Sequence, residues 1–149
     1  MKVSQIMTKD VITVSLETSV GDVARILVKY DIKGVPVINE QREVLGIITE
    51  CDLILQNAKL HIPSFIQILD GVLMVGAKKS EEELKKIVGS IAREVMTSPA
   101  IVVPPDMEIA DLSTLMWEKK INPVPVVEDG HLVGIVSRAD IVRLLAEAE

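Results

Sequence analysis

Two short stretches of the chain carry a hydroxyl and a carboxylate at the same spacing. They are GIITECD at 46–52 and GIVSRAD at 134–140, in which Thr49 precedes Asp52, and Ser137 precedes Asp140, by three positions. A carboxylate in the first turn of a helix stays ionised beside the positive end of the helix dipole, and its two oxygens suit the adjacent hydroxyls of a ribose. A hydroxyl beside backbone N–H groups at the same helix start favours a polar or anionic group. Both stretches are therefore candidate ligand sites.

The same spacing also has a purely structural interpretation. A Thr or Ser followed three residues later by an acid is a variant of the capping box, in which side chains satisfy the free N–H groups of a helix start. Two copies do not decide between the alternatives, because a duplicated fold duplicates its helix caps. Gly46 and Gly134, which open the stretches, predict a close approach by a neighbouring backbone.

The two stretches belong to an internal repeat. Residues 6–38 align with residues 95–127 without a gap, which places Met7 on Met96 and Pro36 on Pro125. After a turn that is one residue shorter in the second copy, Gly46 aligns with Gly134. Such a repeat indicates one supersecondary unit used twice.

Each copy predicts the order β-α-β-β-α. The first comprises VITV at 11–14, a helix over 19–30 with an apolar face, a hairpin of GVPVI and EVLGIIT around NEQR, and a helix from Glu50 to about Asn57. The second comprises IVV at 101–103, a helix, a hairpin of PVPVV and HLVGIVS around EDG, and a helix from Arg138 to about Ala148. The predicted helical faces are Val20, Val23, Ala24, Leu27 and Val28, and then Ile109, Leu112, Leu115 and Met116. Each unit is too small to be stable alone, so we expect an α+β fold in which the two halves pack together.

The predicted organisation is a first unit at 1–59, an insert at 60–91 and a second unit at 92–149. Within the insert, Ser80 and Glu83 form a capping-box pattern for a helix that continues to about Ile91, with Leu84, Ile87, Val88 and Ile91 on one face. The apolar segment at 64–77 has two open interpretations: it packs on the surface of the same chain, or it forms part of a dimer interface.

Composition narrows the class of protein. Hydrophobic residues make up 48% of the 149 residues but aromatic residues only 2%, so the core must be aliphatic. A net charge of −6 argues against nucleic acid as a partner. The sequence has neither a signal-peptide pattern nor an apolar run long enough to span a membrane, and its single cysteine, Cys51, fits a reducing compartment, with an intermolecular bridge or a reactive thiol as alternatives. We therefore expect a cytoplasmic protein that is not inserted in a membrane.

Patterns of known catalytic sites are missing from the sequence. There is no HExxH, GxSxG or Walker-type motif and no cluster of His or Cys that predicts a metal site. His61 and His131 stand alone and are interpreted as surface or packing residues, and Asp22 and Asp111 as solvated positions on helices. We therefore expect no enzymatic activity.

The combination of paired strand-helix units, GVPV and PVPV strands and the twin Gly-to-Asp stretches resembles a tandem pair of cystathionine-β-synthase-type (CBS) domains, also called a Bateman module. The resemblance covers Val3 to Asn57 and Ala92 to Ala146. It implies a pseudo-twofold α/β sandwich with two clefts between the halves, which commonly bind adenine nucleotides or S-adenosylmethionine, and a tendency to form disc-like homodimers. It also implies that aliphatic side chains and backbone groups hold the adenine.

In this family each cleft combines residues of both halves. The resemblance therefore implies a first cleft of Thr8, Thr13, Ile32, Lys33, Gly34, Pro36, Ile135, Ser137, Arg138 and Asp140. It implies a second cleft of Thr97, Val102, Ile121, Asn122, Pro123, Pro125, Ile47, Thr49 and Asp52. The first cleft carries the cations Arg138 and Lys33, whereas the second has Glu50 and Asn122 at those positions. We hypothesise that the first cleft binds a phosphorylated nucleotide, while the second binds weakly, binds a less anionic adenosyl ligand or stays empty. Pro123 also departs from the glycine at position 34 and restricts the backbone beside the second cleft.

Two functions follow as alternatives. The first is a free-standing regulatory module in which an adenosyl ligand shifts the angle between the halves, or between two protomers, and an unidentified protein partner responds. The second is a structural dimerisation or scaffold protein whose clefts are vestigial and whose working surface is the segment at 64–77.

Overall fold

The fold was analysed on a computed structural model, which describes residues 1–55, 81–82 and 84–148. The segment at 64–77, the Ser80 and Glu83 capping box, His61 and the predicted helix end at Asn57 lie outside the described residues. The helices are a 3-10 turn at Val3–Gln5, α1 at Val20–Tyr30, α2 at 50–55, α3 at 81–82 and 84–89, α4 at Ala92–Val95, α5 at Ile109–Lys119 and α6 at Arg138–Glu147. The strands are β1 at Gly34–Ile38, β2 at Val44–Thr49, β3 at Val124–Glu128 and β4 at His131–Val136. This mixture of helices and strands confirms the predicted α+β class.

Both predicted hairpins form. β1 pairs with β2, and β3 with β4, in antiparallel register, and each pair contains one irregularity at the equivalent place, after Val37 and after Val126. The second hairpin closes through Asp129 and Gly130, which both have positive φ, at 52° and 81°. Such turns match the twist of the strands that they join, which explains why the short EDG sequence is sufficient here.

The first predicted strand of each unit is reduced to a single bridge. Val14 pairs with Val37, and Val103 with Val126, both in parallel orientation. Val14 donates to the carbonyl of Pro36, and Ile38 donates back to Val14. Extending this ladder upstream would need an N–H at position 36, which proline lacks. Pro125 has the same role beside Val103, so the β elements predicted at 11–14 and 101–103 form as single parallel bridges rather than as longer strands.

The two repeats exchange their N-terminal segments, each of which packs into the core of the other repeat. One aliphatic core combines α1, β1 and β2 with Ala92 of the second repeat, and the other combines α5, β3 and β4 with Val3 of the first. Ala92 and Val3 are both completely buried. Residues 1–8, here called the first arm, therefore complete the second repeat, and residues 91–97, the second arm, complete the first.

The arms pass directly over the glycines of the twin stretches. A Cβ built on Gly134 would lie 2.5 Å from the Met7 sulfur, and one built on Gly46 would lie 2.7 Å from the Met96 sulfur and 2.8 Å from the Thr97 carbonyl oxygen. Thr8 and Ile135 exchange two backbone hydrogen bonds at this crossing, as do Thr97 and Ile47. The glycines therefore admit the arm of the other repeat, in agreement with the close approach predicted for them.

The predicted helical faces differ from the structure at some positions. Val20, Val23 and Leu27 are buried as expected, but Val28 is 81% exposed. Position 28 falls at the edge of the predicted stripe, where the rotation of 100° per residue carries its side chain away from the sheet. In the insert, α3 ends at 89 rather than at Ile91, which instead precedes α4 as its N-cap, and Leu84 and Val88 are about half exposed.

Candidate ligand cleft

A cavity of about 610 Å³ lies between the two repeats. The first repeat contributes Thr8 and Asp10 to Ile12, at and after the end of the first arm, and Asp31 to Gly34, which lead from α1 into β1. The second repeat contributes Asn122 and Pro123, Ile135, the start of α6 and Arg143. This cavity, the first cleft, therefore draws its wall from both halves of the chain.

The start of α6 fixes the Asp140 carboxylate. Asp140 Oδ2 accepts hydrogen bonds from the Ser137 backbone N–H, at 2.7 Å, and from the Ser137 hydroxyl, at 3.1 Å. The Asp140 N–H lies 3.3 Å from the same hydroxyl oxygen, which completes a capping box. The Asp140 side chain is only 10% exposed. The capping box predicted from the Ser-x-x-Asp spacing is thus formed, and Asp140 Oδ2 is the carboxylate oxygen that accepts its hydrogen bonds.

The other oxygen of Asp140 meets a guanidinium group. Arg143 Nη1 donates to Asp140 Oδ1 at 3.1 Å, from the next turn of α6. The Arg143 side chain is 63% exposed, in contrast to its partner. Sequence reasoning missed Arg143, although its position three residues after Asp140 on a predicted helix was a usable signal.

Charges of both signs line the first cleft. The carboxylates are Asp10, Asp31 and Asp140, and the cations are Lys33, Arg138 and Arg143. Lys33 Nζ lies 3.4 Å from Glu50 Oε1, so its charge is partly compensated. Arg138 forms no ion pair with another of the described residues. Its guanidinium is therefore the cation of this wall with the fewest protein partners within the part of the chain that the structure describes.

The structure brings together most, but not all, of the residues expected in the first cleft. Thr8, Ile32, Lys33, Gly34, Ile135, Ser137, Arg138 and Asp140 line the cavity. Pro36 is completely buried in the sheet, and Thr13 lies on another surface depression, near Asn39. Each of these two residues lies further along its extended segment, beyond the stretch that borders the cavity.

Two residues expected in the second cleft line the first one instead. Asn122 Oδ1 accepts a hydrogen bond from the Arg138 N–H, at 2.9 Å, which places it at the start of α6. The Pro123 ring lies 2.8 Å from a Cβ built on Gly34. Pro123 and Gly34 occupy equivalent positions in the two copies, and they lie next to each other between the repeats. The Pro123 ring therefore fits because Gly34 has no side chain.

The Asp52 side of the molecule has the same cap with a different neighbour. Asp52 Oδ2 accepts from the Thr49 N–H and hydroxyl at 2.9 and 3.2 Å, which matches the geometry at Asp140. Asp52 Oδ1 accepts from the hydroxyl of Thr97 in the second arm, at 2.8 Å. Of the other residues expected there, Ile47 pairs with Thr97, Pro125 is completely buried, Val102 is 40% exposed and Ile121 packs against the second core.

A groove on the outer surface adjoins the first cleft. It has a volume of about 790 Å³ and lies between α5 and α6, lined by Met116, Trp117, Ile141 and Val142 among others. Trp117 is 84% exposed and Val142 63%. Arg138 lines both this groove and the cleft, so one side chain borders the two cavities.

Metal-binding clusters and membrane-spanning helices are both absent from the described ranges. No group of three or more His, Cys, Asp or Glu side chains there is arranged to hold a metal ion. None of the described helices has the length and apolarity that crossing a membrane requires. Cys51 and His131 are exposed, and His131 Nδ1 lies 2.6 Å from the carbonyl oxygen of Gln41 in the other hairpin.

The CBS domain family model matches the chain twice, at residues 3–57 and 92–147. The chain belongs to the CBS domain family, and the two matches confirm a tandem pair. Among curated relatives, "Uncharacterized protein MJ1426" of Methanocaldococcus jannaschii is 34% identical, over 97% of this chain and 91% of the relative. The chain spans 62% and 32% of the next two relatives, from Methanopyrus kandleri and M. jannaschii.

Solved structures of CBS pairs have the same fold. CBSX2 of Arabidopsis thaliana, solved in complex with AMP, is 26% identical with a TM-score of 0.74, over 98% of this chain and 96% of that one. The CBS domain pair of protein MJ0100, in complex with 5-methylthioadenosine and S-adenosyl-L-methionine, is 26% identical with a TM-score of 0.71, over the same shares. These neighbours establish that the chain is similar to modules that bind adenosyl ligands.

Proposed function

We propose that this chain is a regulatory module that binds an adenosyl ligand in the first cleft and transmits the bound state to another protein. The observation that carries the proposal is the cleft itself, whose wall joins both repeats around the capped carboxylate of Asp140. A ligand that touches both halves binds one relative arrangement of them better than others, and so shifts their equilibrium.

The cleft offers a partner for each part of an adenosyl ligand. The carboxylate of Asp140 accepts hydrogen bonds from ribose hydroxyls. Aliphatic side chains, Val11, Ile12, Ile32 and Ile135, provide an apolar wall for the adenine. Arg138 meets an anionic group such as a phosphate. AMP and S-adenosylmethionine are the ligand types bound by structural neighbours.

The second cleft has a weaker ligand-binding role in this proposal. Asp52 Oδ1 already accepts the Thr97 hydroxyl, and Glu50 stands where the first cleft has Arg138. A phosphorylated ligand there would meet a negative charge in place of a positive one. This side therefore binds an adenosyl ligand weakly, selects a less anionic one or stays empty.

The outer helices are the proposed route of the output. Val28 and Ile54 on α1 and α2 occupy positions equivalent to Trp117 and Val142 on α5 and α6, and all four are at least 63% exposed. Apolar surface in such an arrangement favours a partner, and we assign this surface to a second copy of the chain, in a homodimer. Because Arg138 borders both the cleft and the Trp117 groove, a bound anion that attracts Arg138 changes that surface.

The module acts by binding rather than by catalysis in this proposal, in the cytoplasm, on a protein target still to be identified. The alternative is a dimerisation scaffold without a ligand. The observation in its favour is the same exposed apolar surface, which needs no occupied cleft. The two functions differ in whether the first cleft binds a ligand.

Thermal unfolding with adenosyl compounds separates the two functions. A ligand that binds only the folded chain raises its unfolding midpoint, so AMP, ADP, ATP, NADH and S-adenosylmethionine are each added to the purified chain. We expect at least one of them to raise the midpoint in the wild type and to have little effect on Asp140→Asn, which keeps an oxygen for the helix cap. Asp111→Asn, on the exposed side of α5, is the matched control and keeps the full shift. A wild-type midpoint that none of the compounds moves would favour the scaffold.

A further inference from the structure

The pair of Arg143 and Asp140 occupies the oxygen through which a ligand would be recognised. Both hydrogen bonds of the helix cap go to Asp140 Oδ2, at 2.7 and 3.1 Å. Oδ1 is therefore the oxygen with accepting capacity to spare, and Arg143 Nη1 donates to it at 3.1 Å. A ligand hydroxyl that approaches Asp140 must share this oxygen with the guanidinium or displace it.

The two partners of this pair differ in freedom. The cap holds the Asp140 carboxylate in place, and its side chain is 10% exposed. The Arg143 side chain is long, 63% exposed and lines the cavity. Displacement therefore moves Arg143, and the guanidinium remains within the same cleft wall when it leaves the carboxylate.

The equivalent position in the first repeat has no charge. Leu55 aligns with Arg143, and the free oxygen of Asp52 is met by the Thr97 hydroxyl at 2.8 Å. A hydroxyl donates and accepts, and it turns about its C–O bond without leaving a charge unpaired. The cation that contacts the aspartate, Arg143, thus belongs to the first cleft and is not repeated at Asp52.

We propose that Arg143 is a specificity-determining residue, which holds the Asp140 carboxylate while the cleft is empty and moves to the anionic group of the ligand when the cleft fills. This inference rests on the proposed binding of an adenosyl ligand at Asp140. The cleft then selects ligands that bring a phosphate over ligands that present only the same base and ribose.

The selection follows from what replaces the broken ion pair. An uncharged ligand weakens the contact of Arg143 with Asp140 and offers no anion in return. A phosphate offers charge-assisted hydrogen bonds to the displaced guanidinium, which are stronger than bonds between neutral groups. One residue thereby opposes the uncharged ligand and supports the anionic one.

The test compares adenosine with AMP, which differ only in the phosphate. Each is titrated calorimetrically into the wild-type chain and into Arg143→Leu, which copies the residue of the first repeat. We expect the AMP affinity of the variant to fall about tenfold, because a hydrogen bond to a charged group is worth about the 1.4 kcal/mol that corresponds to that factor. We expect its adenosine affinity to rise, because the competing guanidinium is gone. Changes of opposite sign for two such ligands are not produced by a general loss of structure.

Two further variants make the result specific. Arg25→Leu removes an equally spaced pair, Arg25 with Asp22, on the exposed side of α1, and should alter neither affinity. Arg143→Lys keeps the charge and should retain part of the preference for AMP. If AMP binds the wild type but Arg143→Leu changes neither affinity, or moves both in one direction, the inference about Arg143 is overturned and the proposed function stands. If neither compound binds the wild type, the inference is overturned, and the proposed function is overturned as well only if none of the five adenosyl compounds raises the unfolding midpoint.

Discussion

The two aspartates of the repeat have almost the same helix cap and different surroundings. Asp140 and Asp52 each accept from the backbone and the hydroxyl of the residue three positions earlier, with distances that agree within 0.2 Å. The remaining oxygen of Asp140 meets the exposed guanidinium of Arg143 at the edge of a cavity, whereas that of Asp52 meets a hydroxyl of the second arm. The repeated backbone thus orients the carboxylate, and a few unrepeated side chains decide what each one faces.

The largest expected difference between the halves concerns the two glycines. At both glycines the atom closest to an added methyl group is the sulfur of a flexible methionine side chain. At Gly46 the methyl group would also lie 2.8 Å from the Thr97 backbone oxygen, whereas at Gly134 the corresponding Thr8 oxygen is 3.2 Å away. We expect Gly46→Ala to lower the free energy of unfolding by about 3 kcal/mol and Gly134→Ala by about 1 kcal/mol, within the range for overpacked sites. Urea unfolding measures the free energy of unfolding of both variants. Equal losses would mean that the two arms shift equally easily to make room for the methyl group.

The second difference concerns the carboxylates. We expect Asp140→Asn to weaken AMP binding at least tenfold, since a hydrogen bond to a charged group contributes about 1.5–3 kcal/mol. Asp52→Asn should leave the main AMP affinity within about twofold, because the proposed high-affinity site does not contain it. Calorimetric titration gives both affinities and the number of sites. Two sites of equal affinity in the wild type would contradict the proposed asymmetry.

The third difference can be reduced by exchanging a charge. Glu50→Arg places in the first repeat the cation that the second has at Arg138, and it removes the partner of Lys33. We expect a gain of a few-fold in AMP affinity, because an opposite charge at an exposed site contributes up to about 1 kcal/mol. Glu128→Arg, an exposed position at the turn end of β3, changes the net charge equally and serves as the control. An equal gain in both variants would indicate that only the overall charge matters.

The smallest expected difference concerns how the first arm is anchored. Glu108 forms ion pairs with Lys2 and with the N-terminal amine, and the Lys2 contact is the main cause that holds the pKa of Glu108 below its usual value of 4.5. A carboxyl group whose folded pKa is lowered stabilises the fold above its unfolded pKa, and that contribution is lost as the pH falls through the folded pKa. We expect Glu108→Gln to unfold at a slightly lower temperature than the wild type at pH 6, and this difference to disappear as the pH falls below 4.5 and through the lowered folded pKa.

The unfolding midpoints of Glu108→Gln and the wild type are compared across this pH range. The effect should be close to the limit of measurement, since exposed ion pairs stabilise little. A difference that stays constant down to the most acidic pH would show that the side chain acts through packing rather than charge.

The sequence predicted the repeated elements because their signals are local. Alternating aliphatic residues and turn residues were sufficient for both hairpins, and Ser19 precedes α1 as its N-cap, as the predicted helix start requires. The regular strand expected at 11–14 did not form, because the missing N–H of Pro36 acts on a neighbour that is distant in sequence. The exchange of arms was equally hidden, since Val3 and Ala92 look like ordinary apolar residues of their own repeats.

The candidate cleft was predictable in outline only. The resemblance to a known family supplied the pairing of the two halves, and most of the expected first-cleft residues line one cavity. It did not supply Asn122 in that wall, because the contact of Asn122 with the Arg138 N–H depends on how β3 enters the sheet. Nor did it supply Arg143, whose importance depends on the contact with Asp140 rather than on a motif.

The exchanged arms also constrain the order in which the chain can fold during translation. Ala92, which completes the core of the first repeat, is synthesised only after the whole insert has been translated. The first arm must wait longer still, because its binding surface includes β4, near the C-terminus. We therefore expect neither repeat to reach its native packing during early translation, and the two to close together at a late stage.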